Sequence, residues 1–370
     1  MNIVNTPTFK KYFVPGIVFQ SVVIAGGYGT GRELIEFFLN YGVLGGFIAM
    51  CTVSLLTWSI ICAVSFEFAR IFKAYDYRTF FMKLLGKFWF LYEICYFGIL
   101  LIVLAVIAAT AGSILQELFG LNYWIGVMGM MIGVGLLVFN GNEAIEKFLS
   151  YWSFLLYAVY IIFLIFSFTK FGSSIKETLF NGEVESGFII GGFKYAWYNL
   201  GVIPVILFTV RHIETRREAI GSGLMAGVIG IVPGIFLYLA MLGQYPDVLN
   251  VTVPTNYLLG ILGLPLLQMT FQIVLFGTLI ETGTGLIYAV NERVSSVYIE
   301  KGKEMPNWIT TILTIVLLII GVIVAQFGLI GLIAKGYGSM TWGFFLFFVV
   351  PVLTIGIWKI VKQSKENINI

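Results

Sequence analysis

The stretch "SVVIAGGYGTGRELIEFF", residues 21–38, decides how the whole chain is read. It lies inside an apolar run long enough to form a membrane helix, yet four of the six residues at 26–31 are glycine. Arg32 and Glu33 follow at once. Glycine weakens a helix by about 1 kcal/mol relative to alanine, and a charge in hydrocarbon costs about 3 kcal/mol or more. Irregular backbone at membrane depth survives only where it is buried in protein or lines a wet cavity. The break therefore reads as a binding site.

Composition supports the membrane assignment. Of 370 residues, 59% are hydrophobic and 11% charged, against ~25% charged in an ordinary soluble domain. The mean hydropathy is +0.95. A bilayer-crossing helix needs ~20 apolar residues. Ten runs qualify, at 12–39, 43–67, 90–118, 122–141, 150–169, 187–210, 219–243, 264–292, 307–326 and 339–360. The expected fold is an all-α polytopic membrane protein with ten transmembrane helices. The first run is too long for a signal peptide and has no small-residue cleavage pattern, so the N-terminus is expected to stay. Cys51, Cys62 and Cys95 all fall in apolar runs, which argues against a disulfide framework and a metal cluster.

Basic residues give the orientation. With the N-terminus inside, 17 of the 22 Lys and Arg fall on inner segments; Arg32, Lys170, Lys176, Lys194 and Lys335 do not. That bias places both termini on the cytoplasmic side. The net charge of +3 is thus topological, and no basic face interleaved with aromatics offers itself to nucleic acid. The expected partners are the lipid bilayer and a small-molecule substrate. Nothing in the sequence sets an oligomeric state.

A second interruption lies in "YAWYNLGVIPVILFTV", residues 195–210, at Asn199, Gly201 and Pro204. Proline removes an amide donor and clashes with the preceding turn. The breaks, centred near residues 28 and 201, are 173 residues apart, and the same offset carries the starts of runs two and three close to those of seven and eight. Two five-helix halves must run in opposite senses, because five is odd. The chain is then a single domain, 1–370, of two inverted repeats, about 10–171 and 187–362, with discontinuous helices one and six.

An unwound stretch frees amides that can hold an anion and carbonyls that can hold a cation. Thr30 and Glu33 have capping-box spacing, which would start an outer half-helix near residue 31. Trp197 and Tyr198 flank the second break and suit a cavity wall or helix packing. By contrast, Gly223, Gly227, Gly230 and Gly234, and likewise Gly126, Gly129 and Gly133, have the spacing of close helix contacts. Glu67 and Glu93 sit near inner helix ends, where long side chains snorkel to the interface. His212, the sole histidine, is expected to be solvated at a helix end. Glu281 falls mid-span, and an intramembrane carboxyl is functional by default. It reads as a proton carrier, as half of an ion pair with Arg32, or as a helper to a sodium site. Arg32 also lies one turn from Glu36.

At "AGGYGTGRE" (25–33) and "LIETGTGLIYAVNER" (279–293) the chain resembles the amino acid–polyamine–organocation transporter superfamily, with the leucine-transporter type of five-plus-five fold, and within it the YkvI-type bacterial membrane proteins. The resemblance spans essentially the whole chain and implies a place in a bacterial cytoplasmic (inner) membrane. It implies an ion-coupled symporter of a small polar organic solute, an amino acid or related amine. It places substrate at Gly26, Gly27, Tyr28, Gly29, Thr30 and Gly31, with a carboxylate on the freed amides, facing Trp197, Asn199 and Gly201. It implies sodium held at Ala25, Tyr28, Thr282 and Thr284, which with the intramembrane charges Glu281 and Arg32 makes Glu281, Thr282, Thr284 and Arg32 the candidates for coupling to sodium or to protons. No other cofactor is implied. Arg32 stands where that branch commonly has an uncharged polar residue, and a cation there argues against a plain cationic substrate.

Other classes fit poorly. An intramembrane aspartyl protease needs two Asp in spans, but Asp76 and Asp247 fall in loops, and a zinc protease needs more than one His. No phosphate-binding GxxxxGK[ST] loop occurs, so neither an enzyme nor an ATP-driven pump is expected. An ion channel is the alternative, because "GGYG" at 26–29 and "KGYG" at 335–338 resemble carbonyl-lined filters. Such filters need a pore helix and several copies around one axis.

Overall fold

With no water in hydrocarbon to satisfy it, the backbone of these apolar runs must bond to itself, and it does so as helix. The structure, a computed structural model, describes residues 6–23, 27–139 and 142–366, with side-chain surroundings at all of these except 142–154 and 300. Among the described residues there is no strand. The chain runs through α1 (Pro7–Tyr12), α2 (Val14–Val23), α3 (Arg32–Phe37), α4 (Val43–Phe72), α5 (Tyr77–Leu85), α6 (Phe90–Phe119), α7 (Tyr123–Phe139) and α8 (Asn142–Phe180). It continues through α9 (Phe188–Leu200), α10 (Ile203–Ile206), α11 (Arg216–Leu242), α12 (Pro254–Leu262), α13 (Pro265–Glu300), α14 (Asn307–Ala325) and α15 (Gly328–Glu366). Among the described residues eight helical segments are long and apolar enough to cross a membrane, and Val14–Val23 and Tyr123–Phe139 are shorter apolar helices. The protein is multi-pass. Each of the ten runs read from the sequence overlaps one of these helices. Helices α4 and α11 begin at Val43 and Arg216, the 173-residue offset of the two breaks, and α6 and α13 begin at Phe90 and Pro265.

Helix α11 is the spine. Its glycine stripe lets α4 and the first, broken helix come close. A Cβ on Gly223 would overlap the Ala63 backbone, and one on Gly227 would meet Ser59. Gly230 faces Phe19 and Trp58, and Gly234 lies flat against the Tyr28 ring, 2.6 Å from where a Cβ would stand. Polar groups of α4 pair instead with α9, with Trp58 Nε1 donating to the Ala196 carbonyl at 3.1 Å and Ser54 Oγ to that of Gly192 at 2.9 Å. In α7, Gly126 packs on the Ala111 backbone and Gly133 on Ile280, but Gly129 has nothing within 4 Å. The packing role read for Gly129 is therefore wrong: the residue lies outside the helix contact.

Three sequence expectations change. The tenth helix, α15, starts at Gly328, 11 residues before the expected 339, and Gly336 in that added part packs against Ile102. The loop between the second and third spans contains α5, whose first turn is capped by Asp76 Oδ1 accepting from Thr79 N at 2.8 Å. Glu67 and Glu93 do not reach out to the interface. Glu67 is 3% exposed and takes two hydrogen bonds from Arg70, while Glu93 pairs with Arg293 and accepts from Tyr77 Oη at 3.0 Å. Short local partners satisfy these carboxylates at less cost than an extended reach to water. At the same end of the bundle Lys11 bridges Glu214 and Glu218 at 3.1 and 3.0 Å, and those two hydrogen bonds hold the ammonium above its usual range. His212 is exposed, as read.

Candidate functional site

The first break is built by its own sequence. Helix α2 ends at Val23, α3 starts at Arg32, and Gly31 between them adopts φ +77°, a left-handed turn closed to most side chains. Pro254 and Met241 crowd Gly31 from the other side. The outer half-helix thus begins where the spacing of Thr30 and Glu33 placed it, but the capping box does not form. Gly31 is the N-cap without a side-chain hydrogen bond, and Thr30 Oγ1 accepts only from Arg32 N at 3.3 Å. Glu33 has instead turned inward. It is 2% exposed and accepts a hydrogen bond from the Tyr198 hydroxyl on α9, a partner that a cap position would have denied it.

Freed backbone groups need partners, and much of the bonding is supplied by the segment after α11. Thr255 Oγ1 donates to the Gly29 carbonyl at 2.8 Å, and Thr255 N donates to that of Thr30 at 3.1 Å. In return, Arg32 sends one guanidinium nitrogen to the carbonyls of Leu249 and Val251 at 3.0 and 2.9 Å. The second break follows the same logic. Regular α-helix ends at Leu200, Pro204 enters the short α10, and the Gly201 carbonyl is taken by the Tyr92 hydroxyl at 2.6 Å. Asn199 Nδ2 donates back to the Tyr195 carbonyl at 3.0 Å.

Between the breaks lies a cavity of about 340 Å3, within the usual range for small-ligand sites, roughly 300–1,000 Å3. It runs from Gly27 and Glu33 along α6 from Tyr96 to Val103 and along α13 from Thr278 to Ala289. That direction leads toward the end of the bundle that holds Arg293 and the pairs of Lys11. At the opposite end residues 27–35 are all buried beneath the segment that Thr255 and Arg32 fasten.

Of the sequence-predicted residues, the cavity brings together Gly27, Asn199, Glu281 and Thr282. Gly26 and Ala25 lie outside the described residues. Gly29, Thr30 and Gly31 are buried against the outer segment, and Tyr28 points its hydroxyl at the Gly230 carbonyl, 3.1 Å away. Trp197 stacks on Phe345 with centroids 4.1 Å apart, and Gly201 lies against Phe344, so both serve helix packing. Thr282 lines the cavity and donates to the Thr278 carbonyl at 2.9 Å, whereas Thr284 is fully buried and absent from the wall. Two residues on a helix differ by about 200°, which puts these hydroxyls on opposite faces. The ion pair read between Arg32 and Glu281 does not form. Arg32 is committed to the outer carbonyls, on the other side of Glu33, while Glu281 faces the cavity beside Tyr157.

Sequence reading missed Glu33 as a wall residue, Tyr198 as its partner, and Thr255 altogether. Glu33 carried a usable signal, an acid inside an apolar run directly after a glycine break. Thr255 carried none, because its role comes from the start of α12 packing against a residue 225 positions away in the chain.

These elements define a multi-pass membrane protein whose two interrupted helices wall one internal cavity. The chain is similar to the uncharacterized membrane protein YkvI of Bacillus subtilis (strain 168), 22% identical over 295 residues that cover 77% of this chain and 82% of that protein. Its fold is similar to that in the crystal structure of the manganese transporter of Eremococcus coleocola, in complex with an aromatic bis-isothiourea substituted compound. The TM-score is 0.54 at 14% identity, over 95% of this chain and 80% of that one. No family model matches the sequence.

Proposed function

We propose that the protein is a secondary active transporter that carries a small polar organic solute across a bacterial cytoplasmic membrane by exposing the cavity to each side in turn. The observation that carries this reading is the pairing of a ligand-sized cavity with a one-sided seal. The cavity extends toward the basic end, and the hydrogen bonds of Thr255 and Arg32 close the other. By the positive-inside rule the basic end is cytoplasmic, so this is the inward-facing state with both termini inside. The arrangement of ten spans as two inverted repeats is part of the same reading, supported by the common offset of breaks and helix starts. The fold neighbour's role as a transporter supports it too. A channel fits less well, since a conducting pore would need a continuous path and the buried 27–35 segment blocks one end.

Glu281 is the proposed coupling group. A carboxyl facing a water-accessible cavity at mid-span can load and release a proton as the cavity changes sides. Uptake into proteoliposomes under imposed proton or sodium gradients tests this. Proton-driven accumulation lost in Glu281→Gln supports the assignment, and accumulation equal to the parent's rejects it. Sodium-driven uptake indifferent to pH would move coupling to the oxygens around Thr282.

A further inference from the structure

The amides of a glycine break are expected to hold an anion, and the resemblance assigns that role to a substrate carboxylate. The structure already has a carboxyl there. A Cβ built on Gly27 would stand 2.5 Å from Glu33 Oε2 and 3.4 Å from Oε1, so the glycine exists to admit this side chain. Helix α3 brings Glu33 back over the break that precedes it, and Tyr198 fixes the carboxyl by donating its hydroxyl. Among the described residues no ion pair involves Glu33. A second carboxyl, Glu281, lines the same cavity, and among the described residues its wall contains no Lys, Arg or His. The nearby cation that the sequence seemed to place at the site, Arg32, is turned away to Leu249 and Val251.

We propose that the cavity takes an organic cation that carries no carboxylate, a primary or substituted amine with an apolar body, whose charged nitrogen sits against Glu33. This rests on the transporter reading and narrows its solute. Taking a carboxylate out of water costs several kcal/mol unless a counter-charge or hydrogen bonds repay it, and a bound ammonium supplies the counter-charge to Glu33. A zwitterion would bring its own carboxylate to the side of Gly27 that Glu33 fills. Four tyrosines, Tyr96, Tyr157, Tyr198 and Tyr337, line the same wall, and tyrosine is a residue type that attracts cations. The remaining wall is mostly Val, Ile and Leu, which suits an apolar body. A divalent metal ion is poorly served, since the described residues hold no group of three or more His, Cys, Asp or Glu.

The test compares decarboxylated pairs on the purified full-length protein in detergent: phenethylamine against phenylalanine and cadaverine against lysine, with manganese(II) alone as a further probe. Binding is read by calorimetry, and solute exchange by counterflow in proteoliposomes. At least one amine is expected to bind ten-fold or more tighter than its amino acid. Glu33→Gln, which keeps shape and the tyrosine contact, is expected to lose about 10- to 100-fold of that affinity, the worth of a charge-assisted hydrogen bond. Tyr198→Phe, which frees the carboxyl without removing it, should lose less. Should Glu33→Gln not fold, Glu33→Asp takes its place; it keeps the charge but withdraws it from Gly27, and amine affinity should still fall. Amino acids that bind or exchange as well as their amines would overturn the inference and leave the transporter reading standing. So would tight manganese(II) binding that competes with the amines, or amine binding indifferent to Glu33. No binding and no counterflow of any solute would overturn both.

Discussion

Thr255 makes the seal of the cavity measurable. Its hydroxyl donates to the buried carbonyl of Gly29 at 2.8 Å, across the contact between the outer segment and the first break. Thr255→Val keeps the shape and deletes the donor. The hydrogen bond itself contributes about 0.5–1.5 kcal/mol, and a buried carbonyl left without a donor costs about 1–3 kcal/mol. Both terms apply only while the segment is closed, since water satisfies Gly29 once it opens. The closed state should therefore lose about 1–3 kcal/mol relative to the open one, a shift of roughly 5- to 150-fold in population. Amide hydrogen exchange reads this directly, because the Thr255 amide is bonded to the Thr30 carbonyl only in the closed form. Peptides covering 249–262 should exchange faster by that factor in Thr255→Val, while peptides from α14 stay as in the parent. Unchanged exchange across 249–262 in a normally folded variant would refute the seal.

Three further outcomes follow from named contacts. Gly227→Leu should lower the melting temperature by several degrees and cut folded yield, since overpacking at Ser59 costs about 1–3 kcal/mol or more, while Gly129→Ala, with nothing within 4 Å, should be neutral. Tyr92→Phe removes the donor to the Gly201 carbonyl and should destabilise by about 1–3 kcal/mol in thermal or denaturant unfolding, with retained secondary structure by circular dichroism. Arg32→Gln should speed exchange over 249–262, and combining it with Thr255→Val should give less than the product of the two effects, because both fasten one segment.

Membrane helices were legible because hydrocarbon permits so few backbone solutions: apolar length alone located α4, α6, α9 and α11. Both breaks were legible for the converse reason, since Gly31 and Pro204 stand where nothing else in an apolar run would explain them. The stripe from Gly223 to Gly234 was legible from spacing. What escaped was whatever depended on which way a side chain turns. The four-residue pattern of Thr30 and Glu33 predicts a cap with equal force whether Glu33 folds back onto its own helix or reaches Tyr198. Position alone put Arg32 near the substrate, but its guanidinium follows the carbonyls of Leu249 and Val251. Thr282 and Thr284 looked like a pair in the chain, and helical rotation separates them. Helix α12 is short, and the proline that opens it at Pro254 reads equally well as a turn residue in a loop.

The central claim is that solute crosses by way of the Gly27 cavity, opened to one side at a time. Counterflow tests it most directly: proteoliposomes are loaded with unlabelled solute, and entry of the labelled form is followed with no ion gradient imposed. A carrier must show entry accelerated by solute on the far side, and Gly27→Leu, whose side chain would displace Glu33 and fill the cavity, should abolish that acceleration while the protein still inserts. Flux indifferent to far-side solute, with unitary currents in a planar bilayer that survive Gly27→Leu, would contradict the account.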